Sequence, residues 1–319
     1  MTRLGRLRRS GRTAIGAAVL TAVLTTAASG AGTWSTLAPV PAPTEGMQTA
    51  VVGNQIIAAY GFSAGDTQLT RIYDAAADSW SFGTPAPPPV RSEGAAASHG
   101  GFFYAVGGRP VIDDLDRYQP ATDTWTSLAD MPTGRAGLGA AVVGNAIYSI
   151  GGRTGASPCA GGALATVERY NIETDTWSTV APLPSARSDL AAVAHGGKIY
   201  VFGGCTDFAT VLDDVDVYDP VTDSWSTAPA DMPTARASMY GAAAKGNTIY
   251  VVGGWTPVLG QLATNEAYKV SADTWSAEAA MPSPRAEMGV VSHGGRIYTV
   301  GGGIFGVSSA LNLSFKPNP

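Results

Sequence analysis

Short apolar runs broken by glycines recur along the chain. In each unit a run of small and apolar residues precedes Gly-Asn or Gly-Gly, and a second apolar run such as "KIYVF" follows and ends in a glycine pair. Two apolar runs joined by two such residues predict a β-hairpin, because the turn needs positive φ angles. A further segment such as "RYQPATDTW" gives another strand, a turn and the next unit. The pattern therefore predicts strands and turns, without long amphipathic helices.

Tryptophans mark the period of this pattern. Those in the same place of successive units lie 45 to 52 residues apart: Trp34, Trp80, Trp125, Trp177, Trp225 and Trp275. Ten or eleven residues later comes an arginine in five units, as Arg91, Arg135, Arg187, Arg236 and Arg285, while Thr44 takes that place in the first. The glycine pair follows, and has become Tyr60-Gly61 in the first unit. A period of this length indicates a repeat architecture.

The glycine pair, tyrosine and tryptophan, repeated six times, closely resemble the Kelch motif over residues 32–319. This resemblance implies an all-β fold, a six-bladed β-propeller in which each repeat is one four-stranded blade. Phe315 and Pro317 align with Tyr218 and Pro220, but no tryptophan follows them. We therefore expect the N-terminal strand around Trp34 to complete the sixth blade.

Residues 1–31 differ from the repeats. Five arginines precede an apolar run from Ala14 to about Ala28, followed by small residues, which is typical of a secretory signal peptide. We expect cleavage near Gly30 or Ala31, export by the general secretory or the twin-arginine route, and a secreted, extracellular monomer without a membrane anchor. Removal of these five positive charges takes the formal net charge from −5 to −10. Such an acidic protein is a poor partner for nucleic acid.

The three histidines share one local frame. His99, His195 and His293 each precede Gly-Gly in a predicted hairpin turn, in the second, fourth and sixth units. They are therefore spread around the ring, whereas the ligands of a metal must converge on one ion. We expect no metal site and no cofactor.

The residue two positions after the repeat arginine alternates between two types. It is an acid in the even-numbered units, as Glu93, Asp189 and Glu287, and a small residue in the others, as Gly46, Gly137 and Ser238. The alternation predicts approximate threefold symmetry, with three acids near one mouth of the central channel.

Variation in length points to the loops that join the second and third strands of each blade. From the glycine pair to the next tryptophan the count runs 18, 26, 22 and 22, while the other intervals are nearly constant. Variable loops on a rigid scaffold commonly carry recognition. The residue directly after the glycine position also differs in every unit: Phe62, Arg109, Arg153, Cys205, Trp255 and Gly303. We predict a binding surface on this face that includes Phe62, Arg109, Arg153 and Trp255.

The repeat arginines allow two interpretations. They can fix the start of each blade by pairing with Glu93, Asp189, Glu287 or loop carbonyls. Alternatively they bind a ligand, since some Kelch adaptors use arginines here, and just after the glycine pair, to hold acidic peptides. The matching positions are Arg91, Arg135, Arg187, Arg236, Arg285, Arg109 and Arg153. Trp255 likewise either stacks on a sugar or aromatic group or covers a neighbouring loop.

Cys159 and Cys205 are the only cysteines, and they lie in corresponding loops of adjacent units. In an oxidising compartment such a pair is expected to form a disulfide.

Two enzyme families of similar architecture offer comparisons. Galactose oxidase needs two histidines, two tyrosines and a cysteine around copper, which the separated histidines exclude. Bacterial sialic acid mutarotases are exported Kelch propellers, and their resemblance implies Glu93 or Glu287 as acid or base with Arg187 or Arg236 as anion holder. No nucleophile elbow, phosphate loop or HExxH motif is present. We favour a non-catalytic propeller that binds a protein or glycan, with a mutarotase-like enzyme as the alternative.

Overall fold

The computed structural model describes residues 32–304 and 307–318. The expected signal peptide, residues 1–31, lies outside this part of the chain. Six antiparallel four-stranded sheets form, and the innermost strands of neighbouring sheets contact each other in order until the sixth meets the first. This closed ring of sheets is a six-bladed β-propeller, as the repeat predicts. Within the described residues, no helix is long and apolar enough to span a membrane.

Strands a to d run from the channel outward in each blade. Blade 1 contains Gln48–Val52, Gln55–Ala59, Thr70–Asp74 and Ser79–Gly83. Blade 2 contains Ala95–His99, Phe102–Gly108, Ile112–Gln119 and Thr124–Ser127. Blade 3 contains Gly139–Val143, Ala146–Ile150, Val167–Asn171 and Thr176–Thr179.

The other three blades follow the same order. Blade 4 contains Ala191–His195, Lys198–Phe202, Val215–Asp219 and Ser224–Ser226. Blade 5 contains Ala243–Lys245, Thr248–Val252, Asn265–Lys269 and Thr274–Ala277, with a 3₁₀ turn at Val270–Ala272. Blade 6 contains Gly289–His293, Arg296–Val300, Asn312–Lys316 and, as its outermost strand, Thr33–Thr36.

The N-terminal strand closes the ring as expected. Thr33–Thr36 pairs antiparallel with Asn312–Lys316, and Trp34 lies opposite Phe315 with ring centroids 5.1 Å apart. The Trp34 indole also donates a hydrogen bond of 2.7 Å to the Ala279 carbonyl of blade 5. The first and last parts of the propeller are thus joined in one sheet and anchored to the blade before it.

A clamp at each c–d turn explains the repeated "TDTW" and "TDSW" segments. In blade 3, Asp175 accepts hydrogen bonds from the Tyr170 hydroxyl (2.7 Å) and from the Ala129 amide of the preceding blade (2.9 Å). Trp177 then donates to the Ala129 carbonyl at 2.7 Å. In blades 1, 2, 4 and 5 the aspartate at the equivalent position also accepts a hydrogen bond from the blade tyrosine; these aspartates are Asp78, Asp123, Asp223 and Asp273. The aspartate and tryptophan of this repeated motif therefore join adjacent blades.

Small side chains on the inner strands leave room for a central channel. A cavity of about 330 Å³ is lined by strand a residues, chiefly alanine, glycine and valine, with Tyr240 at one side. The second strands are buried on both faces, as the pattern of Ala146–Ile150 shows, because they lie between neighbouring blades. The alternating small and bulky runs of the sequence thus correspond to channel wall and blade core.

The two faces of the ring carry different connections. The a–b and c–d turns lie on one face, and the b–c and d–a loops on the other. His99, His195 and His293 each end a strand a on the first face, in separate blades. The b–c loops of blades 4, 5 and 6 form small hairpins: Cys205–Asp207 with Thr210–Val211, Trp255–Thr256 with Gly260–Gln261, and Gly303–Ile304 with Val307–Ser308.

Candidate functional site

The site lies where the b–c loops meet the axis of the propeller. The residue after each glycine position forms an antiparallel bridge with the residue after the repeat arginine position. The six bridges are Phe62–Glu45, Arg109–Ser92, Arg153–Ala136, Cys205–Ser188, Trp255–Ala237 and Gly303–Ala286. This repeated geometry brings the six variable residues of the sequence together around one mouth.

A ring of backbone hydrogen bonds narrows the channel beneath that mouth. The Glu93 amide donates to the Gly46 carbonyl (2.9 Å), Gly137 to Glu93 (2.8 Å), and Asp189 to Gly137 (2.6 Å). Glu287 donates to Ser238 (2.9 Å), and Gly46 to Glu287 (2.8 Å). Between blades 4 and 5 the donor is Met239, at 3.3 Å from the Asp189 carbonyl. The ring places the three predicted acids at one level of the channel.

Arg153 neutralises two of these acids. Its buried guanidinium spans Glu93 and Asp189, which lie on blades 2 and 4. A Cβ at Gly137 would clash with the Arg153 guanidinium, and Gly137 has a positive φ of 61°. Glycine is therefore required where the arginine crosses. Tyr240 completes the group by donating a hydrogen bond of 2.9 Å to Asp189.

Arg109 holds the outer side of the same cluster. It contacts Glu93 at 3.1 Å and Asp66 at 3.2 Å, and its guanidinium lies 5.2 Å from the centroid of the Phe62 ring. Its side chain is 31% exposed, unlike that of Arg153. Of the two arginines that follow a glycine pair, Arg109 alone is available to a ligand.

Glu287 differs from the other two acids. Within residues 32–304 and 307–318, its carboxylate makes no hydrogen bond and no ion pair. Burial raises its pKa well above the ordinary value, and repulsion by Glu93, Glu45 and Asp189 adds to the rise, while Arg153 opposes it. A partly buried carboxyl group without a cationic partner thus faces a space bordered by loop residues of blades 3 to 6.

That space is a cavity of about 410 Å³, within the size range of ligand pockets. Trp255 and Phe208 form an aromatic wall, with ring centroids 5.1 Å apart and planes at 50°. Pro158 and Cys159 line the cavity from blade 3, and Glu287 lines it from blade 6. The cavity therefore combines aromatic faces with one carboxyl group.

The disulfide fixes part of this wall. Cys159 and Cys205 are bonded, with Cα atoms 5.5 Å apart, as expected from the sequence. The bond joins the long b–c loop of blade 3 to the hairpin of blade 4. The Cys159 amide also donates to Asp189 at 3.1 Å. Because of these links, the loop from blade 3 is held against the cavity and the acid ring.

Exposed apolar side chains lie on the three small hairpins of the same face, and one of them, Phe208, lines the cavity. Phe208 is 63% exposed, Val258 88%, Leu259 68% and Val307 69%. These residues belong to the b–c loops of blades 4, 5 and 6. Large apolar side chains in adjacent exposed positions commonly mark a binding surface.

The repeat arginines lie elsewhere. Arg91, Arg135, Arg187, Arg236 and Arg285 are at most 1% exposed. Four of them pair with an acid on strand c of their own blade: Arg91 with Asp116 (2.6 Å), Arg135 with Glu168 (2.8 Å), Arg187 with Asp216 (2.5 Å), and Arg236 with Glu266. The partners are therefore not the acids Glu93, Asp189 and Glu287 that the sequence suggested. A ligand cannot reach these five arginines in this structure.

The first and last blades vary this arrangement. In blade 6, Arg285 donates to the carbonyls of Gly301 (2.6 Å) and Leu311 (3.0 Å), because Leu313 replaces the strand c acid. In blade 1 the cation is Arg71 on strand c. Burial lowers the pKa of Arg71 and of Arg285 to about 10, so both remain charged at neutral pH.

The strand c acids and Arg71 are absent from the residues predicted from the sequence. The signal was present, because Asp116, Glu168, Asp216 and Glu266 each precede the blade tyrosine by two residues, as Arg71 precedes Tyr73. Residues two apart on a strand point to the same face. The pattern could therefore have identified an inward-facing partner for each repeat arginine.

Comparison with known proteins agrees with this architecture. The KLHDC2/KLHL20/DRC7 Kelch-repeats domain matches residues 129–302. The chain therefore belongs to the Kelch-repeat β-propeller family, whose members typically bind proteins.

Individual relatives cover the chain in part. Kelch-like protein terF of Aspergillus terreus is 30% identical over 224 residues, which is 63% of this chain and 48% of that protein. Alpha-scruin of Limulus polyphemus is 35% identical over 162 residues, 46% of this chain and 17% of the relative. The chain thus spans less than half the length of these curated relatives. The solved structure of YjhT superimposes with a TM-score of 0.75 over 88% of this chain and 97% of its own, at 17% identity, which shows the shared fold alone.

Proposed function

We propose that this chain is a secreted, monomeric, non-catalytic propeller that recognises a protein or a glycan through its b–c and d–a loop face. The observation that carries the proposal is the cavity at that face, with Trp255 and Phe208 as aromatic walls. Aromatic side chains give a large contact area and stack on sugars or side chains of a partner. Exposed apolar residues on three neighbouring hairpins extend this surface, as expected for a binding site on a rigid scaffold.

A thermal-shift and calorimetric screen tests the proposal. Candidate proteins, peptides and neutral or acidic sugars are added to the protein and to three variants, Trp255→Ala, Phe208→Ala and Phe82→Ala. Phe82 is a matched control, since it is 58% exposed but lies on the outer strand of blade 1. A ligand at 100 times its dissociation constant adds about 2.7 kcal/mol of stability. We expect Trp255→Ala and Phe208→Ala to lose that gain and Phe82→Ala to keep it. Equal binding by all three variants would contradict the proposed site.

A mutarotase-like activity is the alternative, and one observation favours it. Glu287 lies in the cavity with a raised pKa, as a general acid working near neutral pH requires. Arg187 and Arg236 are buried in ion pairs, so Arg109 is the cation open to an anionic sugar. The test is the anomerisation rate of N-acetylneuraminate, followed by NMR. Acceleration by the protein but not by Glu287→Gln would favour the enzyme, and a rate equal to the uncatalysed rate would reject it.

Secretion is tested separately from binding. Expression of the full chain with its first 31 residues, followed by N-terminal sequencing of protein from the culture medium, should give a new terminus near Gly30 or Ala31. Protein retained in the cells with residue 1 intact would contradict this part of the proposal.

A further inference from the structure

The loop face is acidic, and this bears on what the cavity binds. All four lysines of residues 32–319 lie at the opposite face. Lys198 and Lys245 flank a–b turns, and Lys269 and Lys316 end a strand c. The b–c loops contain two arginines, the buried Arg153 and the partly exposed Arg109. Asp207 and Asp213 are exposed in the same loops, and Asp113 is exposed at the loop end of strand c in blade 2. The loop face is therefore acidic because it lacks lysine, although the opposite face also carries the aspartates of the c–d turns.

The hairpins of blades 4 to 6 extend this asymmetry. From the glycine pair to strand c, these three loops contain no lysine or arginine, but they contain Asp207, Asp213 and Asp214. Arg109, the available cation, already contacts Glu93 and Asp66 on the other side of the mouth. Because no lysine or arginine lines the cavity in the part of the chain that the structure describes, an anionic ligand there would meet repulsion without a compensating cation.

The cavity itself has the composition of a cation site. Trp255 offers the aromatic face that attracts ammonium and guanidinium groups most strongly, and Phe208 lies beside it. Glu287 supplies a carboxyl group that has no ion-pair partner among the described residues. A cation between these groups would gain both an ion pair and a contact with an aromatic ring.

We propose that this cavity holds the side chain of a lysine or arginine presented by a partner protein. The exposed Phe208, Val258 and Leu259 would then contact apolar residues on either side of that basic residue. This inference rests on the proposed binding function and specifies its ligand. It differs from the acidic peptide that the arginines of the sequence suggested, because most of those arginines are enclosed in ion pairs.

Ionisation of Glu287 is coupled to such binding. The charged groups that act on it are Glu93, Glu45 and Asp189, which raise its pKa, and Arg153, which lowers it; Tyr240 lies among them. A cation in the cavity favours the ionised carboxylate and so lowers the pKa. Affinity should therefore rise with pH as the unbound carboxyl group loses its proton, and fall as salt is added.

The test uses peptides as probes in isothermal titration calorimetry with the full chain. Pentapeptides with blocked ends carry a central arginine or lysine between leucines; controls replace it with citrulline, a neutral isostere of arginine, or with glutamate. We expect the basic peptides to bind at least tenfold more tightly than either control, a difference of about 1.4 kcal/mol. Glu287→Gln should reduce the affinity for arginine to that for citrulline. Glu173→Gln, which removes an exposed acid at the opposite face, should leave it unchanged.

The outcomes separate this inference from the function on which it rests. Equal binding of arginine and citrulline peptides, preference for glutamate, or an unchanged affinity in Glu287→Gln would overturn the cation site. If a sugar or neutral peptide binds instead, and Trp255→Ala abolishes that binding, the proposed loop-face function stands while the cation site fails. If no probe and no ligand of the wider screen binds at this face, both fail. Circular dichroism of each variant checks that the fold is retained.

Discussion

Arg71 donates a hydrogen bond of 2.9 Å to the Thr44 hydroxyl, which inverts the arrangement of an arginine and an acid found in blades 2 to 5. Thr44 occupies the place of the repeat arginine, and Arg71 occupies that of the strand c acid. The cation has therefore moved across the blade, while a buried polar contact between the two positions is kept. This exchange explains why the first repeat can lack its arginine and still form a blade.

The exchange predicts a reciprocal pair of mutations. Thr44→Arg alone places a second buried cation against Arg71 and should lower the free energy of unfolding by more than about 3 kcal/mol. The double variant with Arg71→Glu recreates the pair of blades 3 and 5 and should recover most of that loss. Urea denaturation of the two variants measures the difference. A double variant no more stable than Thr44→Arg would show that the two positions are not equivalent to those of the other blades.

The buried and exposed arginines should respond differently to mutation. Arg135→Leu leaves Glu168 buried without its partner and should cost about 3 to 5 kcal/mol. Arg109→Ala removes two partly exposed ion pairs, with Glu93 and Asp66, but leaves Glu93 paired with Arg153, so it should cost no more than about 1 kcal/mol. Denaturant midpoints of both variants test this. Adding Glu168→Leu to Arg135→Leu should restore stability, and its failure to do so would place the cost in packing instead of charge.

The disulfide should stabilise both the fold and the cavity. Cys159 and Cys205 are separated by 46 residues, and the loop-entropy relation gives about 4 kcal/mol for a loop of this length. Reduction should lower the free energy of unfolding by that order and weaken ligand binding, because Cys159 lines the cavity. The double variant Cys159→Ser/Cys205→Ser should match the reduced protein. Alkylation of both thiols without prior reduction would contradict the bond.

Acid should loosen the clamps between blades. The hydrogen bond from Tyr118 and the amide of Thr84 lower the pKa of Asp123, and the Ala129 amide and Tyr170 do the same for Asp175. An aspartate whose pKa is lowered in the folded state stabilises the fold at pH values above its ordinary pKa of about 3.9. This stability is lost as the pH falls through the lowered pKa. The free energy of unfolding should therefore fall with acidification below about pH 4.

Asp175→Asn isolates one clamp. This variant should be less stable than the parent at pH 7, and the gap between them should narrow as the pH falls, because protonation of Asp175 removes the same negative charge. Denaturation at several pH values measures the gap. A gap independent of pH would assign the effect of Asp175 to the loss of an accepting oxygen in the amide side chain and not to its charge, since Asn adopts the same positive φ as readily as Asp.

The repeat made the fold predictable, whereas the site depends on contacts between blades. Six tryptophans at a regular spacing predicted six blades, and the missing last tryptophan predicted closure by the strand around Trp34. Glu93 and Glu287 occupy equivalent positions, yet among the described residues only the Glu93 carboxylate forms ion pairs. The difference arises because Arg109 of the same blade and Arg153 of blade 3 both reach Glu93, while Trp255 of blade 5 lines the cavity beside Glu287. Arg153 and Trp255 come from repeats other than those of Glu93 and Glu287, so a pattern within one repeat cannot give these neighbours.

The seam that closes the ring has a mechanical consequence. In the antiparallel pair, Thr33 lies opposite Lys316, so the chain enters and leaves this sheet at the same end. Tension applied between residues 32 and 317 would peel the strand Thr33–Thr36 away one residue pair at a time, instead of shearing all of its hydrogen bonds together. The seam would yield at low force even though it completes a stable sheet. Pulled from its ends, the propeller would therefore open first at blade 6, before any blade formed from a single stretch of chain.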